Sequence, residues 1–423
     1  MACEAPTWWV RPGLEPVDGR LTIAGRDAAE LAREHGTPLI VTDLTHIERQ
    51  VRALQAALDR TGMPHTVRFA LKAQRQPEVV ALLRGLGKPG TGASVGVDVC
   101  SPGEVAWTLR HGWRPEELSF TGTNVSDADF RTILEHPLRI NVDLLSQLER
   151  LGRLAPGRAV GLRINPRAGA VRSYVPVGYT SDEDAKFGHY ADEKPTKFGI
   201  YAEQLGEALA IARRHGLRID CVHFHICHQM LTGDLPQLAT ALTGAAAMVA
   251  RLVDEGCPLT EINVGGGLGT PLQQGEEPLD LDAWAALVER HLGGFGVTVA
   301  VEPGEFFFNQ AGVLLAEVVT VEDRLGVPFV GLGAGWNVMP LRFVWGEFVE
   351  LAPAIDPLAE RTQRVTVSGH INEAPDLFAE DYPFPQVSEG DIVAMLKVGS
   401  YCQAVTNEHC LRPPAKAVFL GPA

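Results

Sequence analysis

Short apolar runs alternate with amphipathic stretches along most of the chain. The runs with β-strand character are VRFALKA (67–73), ASVGVDV (93–99), LSFTGTN (118–124), RINVD (139–143), VGLRINP (160–166), DCVHFHI (220–226), EINVGGG (261–267) and VTVAVEPG (297–304). Between them lie segments with helical spacing of apolar positions, such as PEVVALLRGLG, SPGEVAWTLRHG, YAEQLGEALAIARRHG and LPQLATALTGAAAMVARLVDEG. Strands that alternate with helices predict a parallel α/β fold, and eight of them fit a (β/α)8 TIM-like barrel. A doubly wound open sheet suits the same alternation, and periodicity does not separate the two. Past residue 310 the character changes: VTVSG, DIVAMLKV and KAVFL are β-like, with Pro and Gly turns between them. The expected division is a barrel over 38–309 and a mostly β domain from 1–37 and 310–423. PLIVTD, just after residue 37, is expected to join the first 37 residues in giving strands to that domain. The polar stretch 168–197 reads either as an ordered loop over the site or as an insertion.

Composition narrows the class. The 423 residues suffice for a large core, and 37 Lys and Arg against 52 Asp and Glu give a formal charge of −15. No basic run offsets that balance, which argues against nucleic acid or an anionic membrane as partner. The apolar stretches are too short and interrupted to span a bilayer. The N-terminus lacks a basic segment followed by an apolar core, so a cytoplasmic enzyme is expected. Seven cysteines (3, 100, 221, 227, 257, 402, 410) are scattered with no CxxC pair, indicating neither a disulfide framework nor a thiolate zinc site.

In such a barrel the chemistry sits where strands end. Those ends carry Lys72, Asp98, Ser101, Asn124, Asp143, Arg163, Asn165, His225, Gly265, Gly266, Gly267 and Glu302. Lys72 lies inside FALKA, either as a lysine snorkelling from a strand end or as an amine whose pKa burial lowers for Schiff-base chemistry. The glycine triplet allows backbone N–H groups to approach a phosphate, although tight turns use the same residues. Glu302 is either structural or a partner for a pyridine nitrogen. HFHICH (223–228) invites a metal reading, since His223 and His225 share a strand face. The further ligands a metal needs are not evident, and no metal is expected.

Taken together and in order, these pieces resemble the fold-type III decarboxylases that use pyridoxal 5'-phosphate (PLP), the diaminopimelate and ornithine decarboxylase group related to alanine racemase. The resemblance covers nearly the whole chain. FALKAQ (69–74) looks like the family's YAxKAN, which makes Lys72 the Schiff-base lysine. GVDVCSPGE (96–104), NVD (141–143), LRINP (162–166) and KFGI (197–200) follow, although KFG also occurs at 186–188. HFHICHQ corresponds to HxHIGSQ, which implies that His225 stacks on the pyridoxal ring. GGGLG (265–269) corresponds to the phosphate-binding glycines and EPGE (302–305) to EPGR, with Glu302 facing the ring nitrogen. GHINEAPDLF (369–378) aligns with GPxCESxDxF, and GSY (399–401) with the GAY whose tyrosine, here Tyr401, approaches the phosphate. By the same resemblance Asp98 and Arg163 belong to the cofactor site. It also implies a homodimer with shared active sites and loss of a substituent at the substrate's Cα.

Four departures bear on the reaction. Asn372 stands where the family has its catalytic cysteine, and an amide is no general acid near neutral pH. His228, Cys227, His370, Cys402 or Lys72 could replace that donor, with Glu373 beside it. Glu305 replaces the EPGR arginine, which disfavours a substrate with a distal carboxylate and suits a basic or polar amino acid. Cys227 and His228 replace Gly-Ser. GLGAGWNVMPLRF (331–343) aligns poorly with the family's DAGMNDLxRP, leaving Arg342 as a candidate guanidinium. The leading expectation is a PLP-dependent α-decarboxylase of altered specificity in specialised metabolism. The alternative is a racemase, epimerase or eliminase on the same fold, with a non-catalytic homologue and a metal-dependent barrel hydrolase behind it.

Overall fold

The computed structural model describes residues 3–87, 95–168, 170–171 and 195–421. The eight runs form β1 (His65–Ala70), β2 (Gly96–Val99), β3 (Leu118–Thr121), β4 (Arg139–Val142), β5 (Ala159–Asn165), β6 (Arg218–His223), β7 (Glu261–Asn263) and β8 (Thr298–Val301). Each pairs in parallel with the next, and β8 returns to β1 with Val299 opposite His65. The sheet is therefore a closed barrel, which removes the open-sheet alternative. Its strands are buried along almost their whole length, as parallel strands covered by helices must be.

The helix Leu44–Thr61 illustrates how the outer ring is built. Asp43 caps it by accepting from His46 N–H at 3.0 Å, and Gly62 ends it in the left-handed conformation. Ile47, Val51, Leu54 and Leu58, at helical spacing, face the barrel and are fully buried. Each contributes roughly 1.5–3 kcal/mol of burial.

The second domain is built on the long strand β9 (Gly312–Arg324), with β10 (Val327–Leu332), β11 (Leu351–Pro353), β12 (Gln363–Ser368), β13 (Leu377–Phe384), β14 (Ile392–Leu396) and β15 (Lys416–Leu420). Leu39–Asp43, within PLIVTD, joins this sheet, antiparallel to β9 and parallel to β15. The first 37 residues do not extend it. Leu14–Val17, Arg20–Ile23 and Arg26–Asp27 make a separate three-stranded sheet, tied to the domain by a bridge from Arg20 to Ile355. Trp9, Leu14, Leu21 and Ile23 still pack against Leu39, Val313, Leu315 and Leu396, so apolar burial attaches this sheet without lengthening the large one. Most of 168–197, including the KFG at 186–188, lies outside the described residues. Among the described residues no helix is long and apolar enough to cross a membrane.

Candidate active site

One cavity opens at the C-terminal ends of the barrel strands. Lys72, Asp98, Arg163, His225, His228, Gly266, Gly267, Glu302, Glu305 and Tyr401 line it, together with Ala70, Thr121, His223 and Gly304. Lys72 sits in the 3-10 turn Leu71–Ala73 that ends β1, with Nζ 3.8 Å from Asp98 Oδ2 and 3.8 Å from Cys100 Sγ. The second domain fixes this turn from above. Tyr401, in a left-handed backbone conformation, donates its N–H to Ala73 O at 2.8 Å, and Gln74 Nε2 donates to Gly399 O at 3.0 Å.

Burial does not lower the lysine's pKa as the sequence suggested. Attraction from Cys100 and Asp98 outweighs burial and holds Lys72 well above the usual lysine value. The Cys100 contribution needs a thiolate, and burial pushes that thiol up to about 12. That leaves Asp98, which attracts the amine only to the extent that it is ionised. Asp98 is itself pushed up by burial and by the nearby Glu302, while Lys72 and Arg163 pull it back. Burial prevails, and Asp98 is raised to about 8.

Glu302, just past β8, is buried and triply supported. Asn263 Nδ2 donates to its Oε1 at 2.6 Å, and His223 Nε2 lies 3.1 Å from its Oε2. Arg68 adds positive charge below, held by a two-pronged pair with Glu261 at 2.8 and 2.8 Å. Burial alone would raise the Glu302 carboxyl, but His223, Asn263 and Arg68 prevail and lower it to about 2. His223 is thus committed to Glu302. Among the described residues no group of three or more His, Cys, Asp or Glu side chains is arranged to hold a metal.

His225 Nδ1 accepts from Gly266 N–H at 3.1 Å. Burial, followed by Arg163 and Lys72, pushes its pKa well below the usual histidine value, so the ring is neutral with its proton on Nε2. The glycines are required by close packing. A Cβ on Gly266 would lie 2.3 Å from Glu302 O, and one on Gly267, at φ +88°, 2.1 Å from Cys227 O. Gly265 has a φ of +69° and turns the chain out of the strand. Arg163 is placed by the KFGI segment: its guanidinium lies 4.5 Å over the Phe198 ring and 3.8 Å from Asp143 Oδ1, which also accepts from Gly199 N–H at 2.6 Å.

On the side of the second domain, His228 Nδ1 lies 4.0 Å from Glu305 Oε2. Glu305 is buried and hydrogen-bonded to Glu347, a residue that the sequence did not single out. Burial raises Glu305 to about 7 and Glu347 to about 8. Behind them Lys397 is buried, donating to Leu272 O at 2.9 Å and Phe348 O at 3.1 Å.

Three candidates lie apart from the cavity. Arg342 is in the helix Leu341–Trp345 of the second domain, its Nε buried without a hydrogen-bond partner and its pKa lowered by burial. Within one chain it lines no part of the cavity wall. Asn372 and Glu373 are exposed in the 369–376 loop, where Glu373 meets His409 at 3.2 Å. Within one chain the loop is anchored elsewhere, with Asp376 accepting from Ile371 and Trp336 N–H.

Residues 44–309 match the pyridoxal-binding domain of the pyridoxal-dependent decarboxylases. This chain belongs to that family. It is 33% identical over 418 residues to diaminopimelate decarboxylase of Methanothermobacter thermautotrophicus, covering 96% of this chain and 92% of the relative. Among solved structures it is similar to Helicobacter pylori diaminopimelate decarboxylase complexed with L-lysine, with a TM-score of 0.80, 25% identity and 93% of each chain covered. The fold is also that of Vibrio vulnificus lysine/ornithine decarboxylase complexed with putrescine, at a TM-score of 0.74, 22% identity and 92% and 96% of the two chains.

The chain is a PLP-dependent carboxy-lyase acting on an amino acid, and the cavity fits that cofactor. It offers an amine, an ionised buried carboxylate, a neutral imidazole and a glycine turn. Two polar atoms of its lining residues, Asp98 Oδ1 and His223 Nδ1, are buried with no protein hydrogen-bond partner.

Proposed function

We propose that this enzyme removes the α-carboxylate of an amino acid with a basic or polar distal end, in specialised metabolism and in the cytoplasm. The observation that carries the reading is Glu305, buried in the cavity wall with Glu347 behind it. A distal carboxylate would find no cation to pair with there, whereas an ammonium or hydroxyl would be received by the carboxyl oxygens. Among the described lining residues the cations are Lys72 and Arg163, and Arg163 is engaged with Asp143 and Phe198.

In this reading Lys72 would anchor PLP and Glu302 would serve its ring nitrogen. His225 would support the ring, Gly265, Gly266, Gly267 and Tyr401 would hold the phosphate, and Asp98 and Arg163 would complete the site. When bound, the cofactor supplies an electron sink for the pair left at Cα as CO2 departs. Glu302 stays ionised because His223, Asn263 and Arg68 hold it so, and His225 stays neutral because burial and Arg163 keep it so.

The new Cα–H bond needs a proton donor. Of the candidates to replace the cysteine, Cys227, Cys402 and His370 line no part of the cavity, whereas His228 and Lys72 do. Of the two, the donor is assigned to His228, whose Nδ1 faces the Glu305 carboxyl at 4.0 Å. The enzyme works as a homodimer, and the exposed Asn372–Glu373 loop serves the neighbouring subunit's site. The second reading, proton removal from Cα, draws on the same histidine: burial lowers its pKa, so the ring is unprotonated near neutral pH and free to accept a proton.

Incubating PLP-loaded protein with an amino-acid panel in D2O separates the readings. Amine with one deuterium at Cα, formed from basic or polar amino acids, is the expected product. Intact amino acid with α-deuterium and mixed chirality would replace this reading with the second. Amine from a substrate with a distal carboxylate would sink the specificity assignment.

A further inference from the structure

Decarboxylation of an amino acid consumes one proton per turnover. The C–C bond breaks, CO2 leaves, and the electron pair at Cα takes a proton. His228 can give that proton only if something returns one to it, and the structure holds a store beside it. Glu305 and Glu347 are both buried and hydrogen-bonded carboxyl to carboxyl, a contact that two carboxylates cannot make without a shared proton. Glu305 faces the cavity, 4.0 Å from His228 Nδ1, and Glu347 lies behind it.

We propose that Glu347 keeps a proton on the Glu305–Glu347 pair and that this pair recharges His228 through Nδ1 as the imidazole gives its other ring proton to the substrate carbon. This rests on His228 being the acid. The transfers balance. One proton leaves the ring for Cα, one passes from Glu305 to Nδ1, one passes from Glu347 to Glu305, and solvent restores Glu347. Glu347 is a positioning residue here, since it acts through Glu305 and His228.

The groups around the pair fit a store of this kind. Lys397 faces it from β14 and the turn beyond, backed by the charges of Glu350 and Glu276, and keeps the pair from being wholly protonated. Tyr401 feels the charge of Glu305 from its own loop, and Gln229 neighbours Glu305 on the His228 segment. The pair loses its shared proton as pH rises through about 7 to about 8.

Glu347→Gln keeps the size of the side chain and removes its ability to pass a proton. In the holoenzyme we expect kcat to fall about tenfold or more with KM within about twofold, since general acids contribute at least that much. The fall of kcat between about pH 7 and about pH 8 should vanish. Glu347→Asp should recover most of the rate, which a merely structural role would not do. Infrared spectroscopy of the apoprotein supplies a readout free of turnover. A carboxylic-acid carbonyl band at neutral pH should be weaker in the Glu305→Gln/Glu347→Gln double variant than in the wild type, Asp98 supplying what remains. If amine forms but Glu347→Gln keeps the wild-type kcat and pH profile, or if the band is as strong in the double variant as in the wild type, the relay alone is overturned. If the wild-type holoenzyme releases no amine from any amino acid, the functional reading fails and the relay falls with it.

Discussion

Glu302 and Glu305 are three residues apart, both buried and both on the wall of one cavity, yet they are held in opposite protonation states. Glu302 looks into the barrel, where His223, Asn263 and the Arg68–Glu261 pair supply donors and positive charge. Glu305 looks toward the second domain, where its nearest partner is another carboxyl and the balancing Lys397 is engaged with two backbone carbonyls. Desolvation pushes both carboxyls up; only Glu302 has neighbours strong enough to reverse it. A buried glutamate is therefore an anion or an acid according to what its side of the cavity donates. On the proposed reading the two sides of this cavity serve different ends: fixed negative charge for a cofactor ring, and a labile proton near the substrate.

The most severe way to break this comparison is to remove the amine that shares the cavity with both glutamates. Lys72→Ala should abolish the lysine-bound chromophore of the PLP-loaded protein and reduce turnover by about a thousandfold or more. An unchanged visible spectrum would refute the assignment of Lys72.

A sharper cut sets Glu302→Gln against Glu305→Gln. The first should lower kcat about a hundredfold for every substrate alike, because it weakens the electron sink itself. The second should lower kcat about tenfold across the panel, because Glu305 passes the proton to His228, and should in addition raise KM for basic amino acids about tenfold relative to neutral ones. Equal losses across the panel for both variants would erase the distinction between the two carboxyls.

How far the sequence revealed this site follows from where each residue sits. The barrel was readable because its strands run as apolar segments separated by helices, and the lysine, histidine, glycines and Glu302 fall at strand ends in family order. Lys397 was not picked out, although it carries the signal that marked Lys72: a lone lysine in an apolar run, here IVAMLKV. Glu347 gave no signal, since the chain only reaches Glu305 through packing of the second domain on the barrel. His223 looked like a possible metal ligand because strand alternation places it with His225, while its partner Glu302 lies 79 residues away in sequence. The sequence pointed to Arg342 by proximity to a motif, and only the fold places that guanidinium off the cavity.

The smallest effect should appear in the stability of the apoprotein against pH, where the two glutamates pull in opposite directions. Glu302 is depressed from 4.5 to about 2, so its contribution is present above about 4.5 and is lost as pH falls toward 2. Glu305 and Glu347 are raised from 4.5 to about 7 and about 8, so the native state binds more protons than the unfolded chain in that interval. Their contribution is present below about 4.5 and is lost as pH rises to about 8. Asp98, also raised, bends the curve the same way, so removing the pair flattens only part of the alkaline limb. Melting temperatures measured from pH 3 to 9 should thus show Glu302→Gln flattening the acid side. Glu305→Gln/Glu347→Gln should flatten the alkaline side, each by about 2 °C in a chain of this size. If the double variant steepened the alkaline limb, the two carboxyls would have to be ionised together in the native protein, which their contact forbids.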